Sequence, residues 1–426
     1  MRIALVAQNG SPLTPAVEPN AAAQAAATIS LAQALADLGH RTTIYARKDS
    51  PTLPSSAILA KGVTVEHLTA GPPQPLTASQ LTAHVAEFGD KLARRWRRAR
   101  PDIAHACSWT SGLSAFCAAQ GSEMRVVQSF DSLGIAERRH RLPVSGPAGR
   151  IRMEACVARN ADSVLAATTT EAAELVRMGV PRSSVTVVPT GVDTRRFSPD
   201  GPVAKRGPRP RLLAVGPLTA GQGLDVLVRM LPGVPEAELV IAGGPPQTQL
   251  RRDRVYRDLM RLAGSLRVRG RVGFTGAIGP AELPVLLRSA DLLVSGTRYE
   301  PHGAITLAAM ACGTPTAVTA VGANRDAVLD ETTGLLIAPG RPDLFARRVR
   351  QLLAAPMRLE GFGIAAVDRA CARYAWDRIG RETAAAYERC LRPDAAAEAG
   401  READLALADE ADLALAAAGE LAAALA

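Results

Sequence analysis

Short runs of β-branched and other apolar residues alternate with amphipathic stretches along most of this chain. In the first half, the runs Arg2–Ala7, Thr42–Ala46, Val63–His67, Ile103–His105, Arg125–Ser129, Ser163–Ala167 and Val185–Val188 predict strands. Helical patterns lie between them, for example Ala21–Leu38, which closes on Gly39 as a C-cap. The second half repeats the grammar with Leu212–Gly216, Leu239–Gly243, Val272–Gly276, Leu292–Ser295 and Thr316–Thr319. In its first helix, Leu224, Leu227, Val228 and Leu231 form the i, i+3, i+4, i+7 stripe of a helix lying on a sheet. Strands alternating with helices imply mostly parallel sheets covered on both faces.

The Pro/Gly/Arg-rich stretch Ser198–Arg209 lacks periodicity and reads as an inter-domain linker. A last amphipathic helix near Trp376–Leu391 carries Trp376, Ile379, Thr383 and Tyr387 along one side. Beyond it, Glu-Ala-Asp-Leu-Ala-Leu-Ala occurs at 402–408 and again at 410–416, a low-complexity, alanine-rich and acidic tail. Its composition predicts a disordered or loosely helical appendage.

With 426 residues, 47% hydrophobic and 21% charged, the chain has the balance of a soluble globular protein of two or three domains. The apolar run Met1–Ala7 is too short for a signal peptide and turns polar at Gln8-Asn9-Gly10. No segment approaches the roughly 20 apolar residues of a membrane helix. Six scattered cysteines show no metal spacing, which points to a reduced, cytoplasmic compartment. The net charge is +9, but the segment from Pro393 on carries eight acids and one base, leaving +16 on the rest. Such an excess suits phosphorylated ligands and, at most, peripheral membrane contact. Arg94-Arg95-Trp96-Arg97-Arg98-Ala99-Arg100 has the residue types of a nucleic-acid grip. A solvated helix face leading into a strand gives the same run, so no nucleic acid is expected as partner.

Three motifs carry a family likeness. Val187-Val188-Pro189-Thr190-Gly191-Val192-Asp193-Thr194-Arg195-Arg196-Phe197 resembles the linker signature of the retaining GT-B glycosyltransferases related to sucrose-phosphate synthase, the group 1 or family 4 enzymes. Glu300-Pro301-His302-Gly303-Ala304-Ile305-Thr306-Leu307-Ala308-Ala309-Met310-Ala311-Cys312-Gly313-Thr314-Pro315 resembles their donor-site helix. Val321-Gly322 through Arg325-Asp326, then Thr333-Gly334-Leu335-Leu336, is similar to the family segment on the C-terminal side of that helix.

The resemblance implies an α/β fold of GT-B type, two Rossmann-like domains facing each other across a cleft. On it, residues 1–197 form the acceptor-side domain, 198–209 the linker and 210–372 the nucleotide-sugar domain. Residues 373–392 form a helix returning to the first domain, and 393–426 the tail. The implied substrate is a UDP- or GDP-linked nucleotide sugar used without metal or cofactor, because cationic side chains and helix N-terminal amides neutralise the leaving diphosphate. Matching motif to motif gives Glu300 and Asp131 as catalytic-site residues. Gly216, Gln222, Gly223, Gly244, Ala277, Gly303, Ala304, Ile305, Thr306 and Ala308 fall on the donor side. His105, Trp109, Phe130, Arg138 and Arg139 fall on the acceptor side.

Several matched positions depart from the family pattern. In the phosphate loop Gly216-Pro217-Leu218-Thr219-Ala220-Gly221-Gln222-Gly223, Pro217 replaces an arginine and Gln222 a lysine, and no lysine follows Lys205. Ala308 replaces the carboxylate that holds the donor ribose. Ala22, Ala23 and Ala25 around Gln24 replace a glycine-rich loop, while Asp131 and Cys107 replace histidines. Each lost donor aimed at the leaving phosphate costs roughly 10²–10³ in rate, so nucleotide sugars are expected to bind weakly unless Arg195, Arg196, Arg298 or Arg325 compensates. Three functions therefore compete: a working transferase, an inactive partner of a catalytic glycosyltransferase, and another enzyme class on the same fold, such as an epimerase or a phosphorylase. The lack of a C-terminal lysine argues against a pyridoxal-phosphate phosphorylase.

Overall fold

The computed structural model describes residues 1–14 and 19–392, so the expectation for the tail at 393–426 lies outside the described residues. The chain divides into two compact units. One comprises Met1–Pro189 together with Ile379 onward, the other Thr190–Arg378.

The first unit is built on eight strands: β1 (Arg2–Ala7), β2 (Arg41–Arg47), β3 (Ser56–Ala60), β4 (Val63–Leu68), β5 (Ile103–Ala106), β6 (Val126–Gln128), β7 (Ser163–Ala166) and β8 (Val185–Val187). They lie in the order β3-β4-β2-β1-β5-β6-β7-β8. All neighbours run parallel except the β3–β4 pair. In β1, Ile3–Val6 are essentially inaccessible because both faces are covered. Ala4 and Val6 pack with Phe88, Leu92 and Trp96 of the Val85–Arg98 helix. The predicted helix Ala21–Leu38 spans Pro19–Asp37, and Gly39 ends it at φ +88° with its amide on the Ala36 carbonyl. Strand β3 gives no sequence signal, since it is a half-exposed edge whose Ile58 is 81% accessible.

The second unit carries β9 (Arg211–Val215), β10 (Glu238–Ala242), β11 (Val272–Gly276), β12 (Leu292–Ser295), β13 (Thr316–Thr319) and β14 (Gly334–Ile337). Their order is β11-β10-β9-β12-β13-β14, all parallel. Strand β14 opens on a glycine, which hides it from a propensity reading; a Cβ there would sit 2.4 Å from the Thr316 hydroxyl. Among the parallel strands the order reverses between β1 and β5 in the first sheet and between β9 and β12 in the second. The carboxyl ends of strands at such points are where open α/β sheets bind ligands.

The change of unit falls at Pro189/Thr190, earlier than residue 197, and the Ser198–Arg209 stretch is laid along the second unit rather than left free. Arg288 holds it by donating to the carbonyls of Pro202 (2.8 Å) and Ser198 (3.2 Å). The return crossing lies in the Trp376–Leu391 helix. Its start is tied into the second unit, where Val192 donates to the Tyr374 carbonyl at 2.7 Å and the Trp376 ring lies over Gly191. From Ile379 on it packs in the first unit, with Gly380 against Ala34 and Tyr387 fully buried.

Candidate functional site

In the second unit the loops after β9 and β12 interlock at the reversal point. Gly223 adopts φ +61°, ψ 28° and caps the Leu224–Met230 helix; a Cβ on it would stand 1.9 Å from the Gly296 carbonyl oxygen. Only glycine permits this approach. Arg298 donates its backbone amide to Gly221 at 2.9 Å, and the Thr297 hydroxyl reaches the same carbonyl. Gly216 bonds the Ala242 carbonyl, Gly243 bonds Gly276, and Ala277 bonds Pro245, so the loops after β9, β10 and β11 form one laced rim. Gly244, at φ +85°, leaves room for Leu218.

Glu300 opens the second wall. Its carboxylate accepts from the Gly303 amide at 2.9 Å, while its carbonyl accepts from Ala323. Burial raises its pKa, partly offset by the Gly303 and His302 amides. Gly303 turns the chain at φ +69° into the Ala304–Ala311 helix. The first-turn amides of Ala304 and Ile305 have no intrahelical acceptor and are left at the start of this helix. Thr306 keeps its amide in this first turn, while its side chain is 3% exposed and donates to Asn324 Oδ1 at 2.7 Å. One donor-side expectation is corrected here. Ala308 is 2% exposed and packs with Leu213, Leu287 and Leu293 in the apolar core. Gln222, at the family's lysine position, has its side-chain oxygen folded over Gly216. Of the four candidate compensating arginines, Arg196 is spent on the Pro280 carbonyl and the Phe197 ring. Arg298 and Arg325 are exposed and spring from backbone that bonds the site loops; Arg195 is exposed as well.

In the first unit, residues from the ends of β1, β5 and β6 meet around Asp131. Asn9 donates to Asp131 Oδ2 at 3.2 Å, and Gln24 bonds both Asp131 and the Cys107 carbonyl (2.8 Å). Thr110 and Ser108 in turn hold the Asn9 oxygen. The motif match does not single out Asn9 as a site residue, and the polar turn Gln8-Asn9-Gly10 is the one signal that points to it; Gln24 stands inside the alanine segment matched to the family's glycine-rich loop. The side chain of Ala22 lies outside the described residues.

The acceptor-side expectations are largely corrected. His105 is buried, with Nδ1 2.7 Å from the Tyr387 hydroxyl and Nε2 3.0 Å from the Ser129 hydroxyl. Burial lowers its pKa to about 4, so it is a neutral structural link and not an acceptor contact. Trp109 and Phe130 are buried as well, at 6% and 3% exposure. Arg139 pairs with Glu174 at 2.8 Å, while Arg138 is exposed.

Behind Asp131 stands a cluster of carboxyls. Buried Arg150 pairs with Glu154 (2.6 Å) and Glu137 (3.1 Å). Glu171 accepts from the Ala167 amide at 2.7 Å. Burial pushes Asp131 up to about 7 against the pull of Arg150, Glu154 to about 7, and Glu171 to about 8. An acid whose pKa is raised in the folded state binds more protons folded than unfolded, so it removes stability as pH rises toward that folded value. Between about pH 4.5, just above the unfolded carboxyl values, and about pH 8 the thermal midpoint is therefore expected to fall. Glu171→Gln should flatten that slope, and an unchanged slope in differential scanning calorimetry would refute the assignment.

The two sheets, with glycine loops and a carboxylate-clasped helix start at a reversal point, define a GT-B glycosyltransferase architecture. Comparison with known proteins gives the family. Residues 209–355 match the model for glycosyl transferases group 1, and residues 24–196 that for glycosyltransferase family 4. The D-inositol 3-phosphate glycosyltransferase 2 of Catenulispora acidiphila is 33% identical over 92% of this chain and 95% of its own length. The D-inositol 3-phosphate glycosyltransferase of Actinosynnema mirum is 31% identical over 91% and 96%. Among solved structures, sucrose-phosphate synthase from Thermosynechococcus elongatus superposes with a TM-score of 0.80 at 24% identity, over 92% of this chain and 99% of that one. Anabaena HepE in complex with UDP and glucose gives 0.67 at 17%, over 91% and 99%. The chain belongs to the group 1, family 4 glycosyltransferases.

Proposed function

We propose that this protein transfers a sugar from a UDP-linked donor to a small hydroxyl acceptor with retention of configuration. The observation that carries the reading is the intact donor frame: Gly223 against Gly296, with Glu300 clasping the Gly303 turn. Relatives named as D-inositol 3-phosphate glycosyltransferases support the activity, and a solved neighbour holding UDP supports the donor. Glu300 and the Ala304 and Ile305 amides hold the donor sugar and phosphate. The Arg298 guanidinium, rooted one hydrogen bond from Gly221, supplies charge that Pro217 and Gln222 do not.

A second reading, an inactive partner of an active glycosyltransferase, is favoured by Gln222 closing over Gly216 and by Ala308 sealed in the core. Calorimetry against UDP- and GDP-sugars at low salt decides between them. The transferase reading expects a dissociation constant in the micromolar range for a UDP-sugar, weakened about tenfold or more by Arg298→Ala, the worth of a charge-assisted hydrogen bond. No detectable binding of any nucleotide sugar to the folded protein would leave the partner reading standing.

A further inference from the structure

The arginine run on the Val85–Arg98 helix is not used by the donor or Asp131 sites. A cavity of about 390 Å³ opens beside this helix, lined by Thr69, Lys91, Arg94, Arg95 and Arg98 together with the His67–Leu68 strand end. Lys91 is fixed by Glu87 at 2.6 Å and by the Thr69 carbonyl, and Arg95 by Glu66 at 3.3 Å. Arg94 and Arg98 are exposed, one helical turn apart, and make no ion pair or hydrogen bond among the described residues. The dipole at a helix C-terminus favours cations in the last turn, which accounts for Arg95, Arg97 and Arg98. It does not account for Lys91 and Arg94 being gathered with them around a concavity, where like charges repel.

Trp96 and Leu92, buried beneath, pack the helix backbone that carries these cations against the core. Two anchored cations flank two unpartnered ones, and the acids Glu66 and Glu87 face only the anchored pair. That leaves the concavity with a net positive charge and guanidinium forks suited to a phosphate oxygen pair.

We propose that this groove is a second binding site, separate from the donor site, that takes a phosphate group. The phosphate is borne by an anionic lipid headgroup or by a free phosphoester. The test uses the full chain and an Arg94→Gln/Arg98→Gln variant, which alters two exposed side chains with no partners to lose. One arm measures co-sedimentation with vesicles of phosphatidylcholine, alone or mixed with phosphatidylglycerol. The other titrates inorganic pyrophosphate by calorimetry. The parent should bind in at least one arm, and the variant should bind about tenfold more weakly there while melting like the parent. Binding to the mixed vesicles only assigns the phosphate to lipid; binding to pyrophosphate only assigns it to a soluble ligand. Binding in neither arm, or binding unaffected by the variant, overturns the proposal. So does tighter binding to a DNA duplex than to either probe, which would make the groove a nucleic-acid contact.

Discussion

Gly223→Ala is expected to cost the protein at least ~2 kcal/mol of stability and to abolish donor binding. The residue stands at φ +61°, where an L side chain is disfavoured, and the new methyl would sit inside the contact radius of the Gly296 carbonyl. Backbone is on both sides of the clash, so neither loop has a flexible end that can swing away. Relief requires the loops after β9 and β12 to part. That parting breaks the Arg298–Gly221 bond and shifts the floor on which a diphosphate would rest. Gly264→Ala is the control: it lies in the Arg254–Ser265 helix with nothing within 4 Å of an added Cβ, and there alanine should be neutral or stabilising. Urea unfolding of both variants, read beside UDP-sugar calorimetry, measures the two effects. Equal stability of Gly223→Ala and parent would show that the two loops separate at little cost.

Restoring charge to the phosphate loop should have the opposite sign. Pro217→Arg with Gln222→Lys is expected to tighten UDP-sugar binding by at least ~10²-fold, since each charge-assisted hydrogen bond contributes about 1.5–3 kcal/mol. Both positions are half-exposed, and Gln222 already lies over the loop mouth, so the new side chains have room. Adding Ala308→Glu, which the family pattern alone would recommend, should instead lower stability. Its methyl packs with Leu213, Leu287 and Leu293, and a carboxylate there would be buried without a partner. A folded double variant that binds no more tightly than the parent would mean that phosphate does not approach these positions at all.

The contrast between the loop positions and Ala308 marks how far the sequence could be read. The parallel sheets were legible because buried strands such as Arg2–Ala7 and Leu212–Gly216 are short, apolar and bounded by glycine or polar turns. The turn that opens the Ala304–Ala311 helix was legible because it is local: Glu300 and Gly303 are three residues apart and bond each other directly. The features that escaped depend on partners distant in the chain. His105 reads as an acceptor contact until Tyr387, 282 positions later, takes one ring nitrogen. Ala308 reads as a donor-side position until Leu213, Leu287 and Leu293, distant in the chain, enclose it. The edge strand Ser56–Ala60 escapes for another reason: it buries too little to leave a pattern.

The division of the first unit across the chain has a consequence for biosynthesis. Its sheet is complete by Val187, yet the helix that covers His105 is translated only after the whole second unit. A nascent chain therefore carries a finished sheet with one face open at His105 while residues 190–378 are still being made and folded. During that interval the buried contacts of Ile379 and Tyr387 do not exist, and apolar surface around Ala34 and His105 faces water or a chaperone. The second unit, being continuous, can close first, and the first is sealed last by the helix made after both.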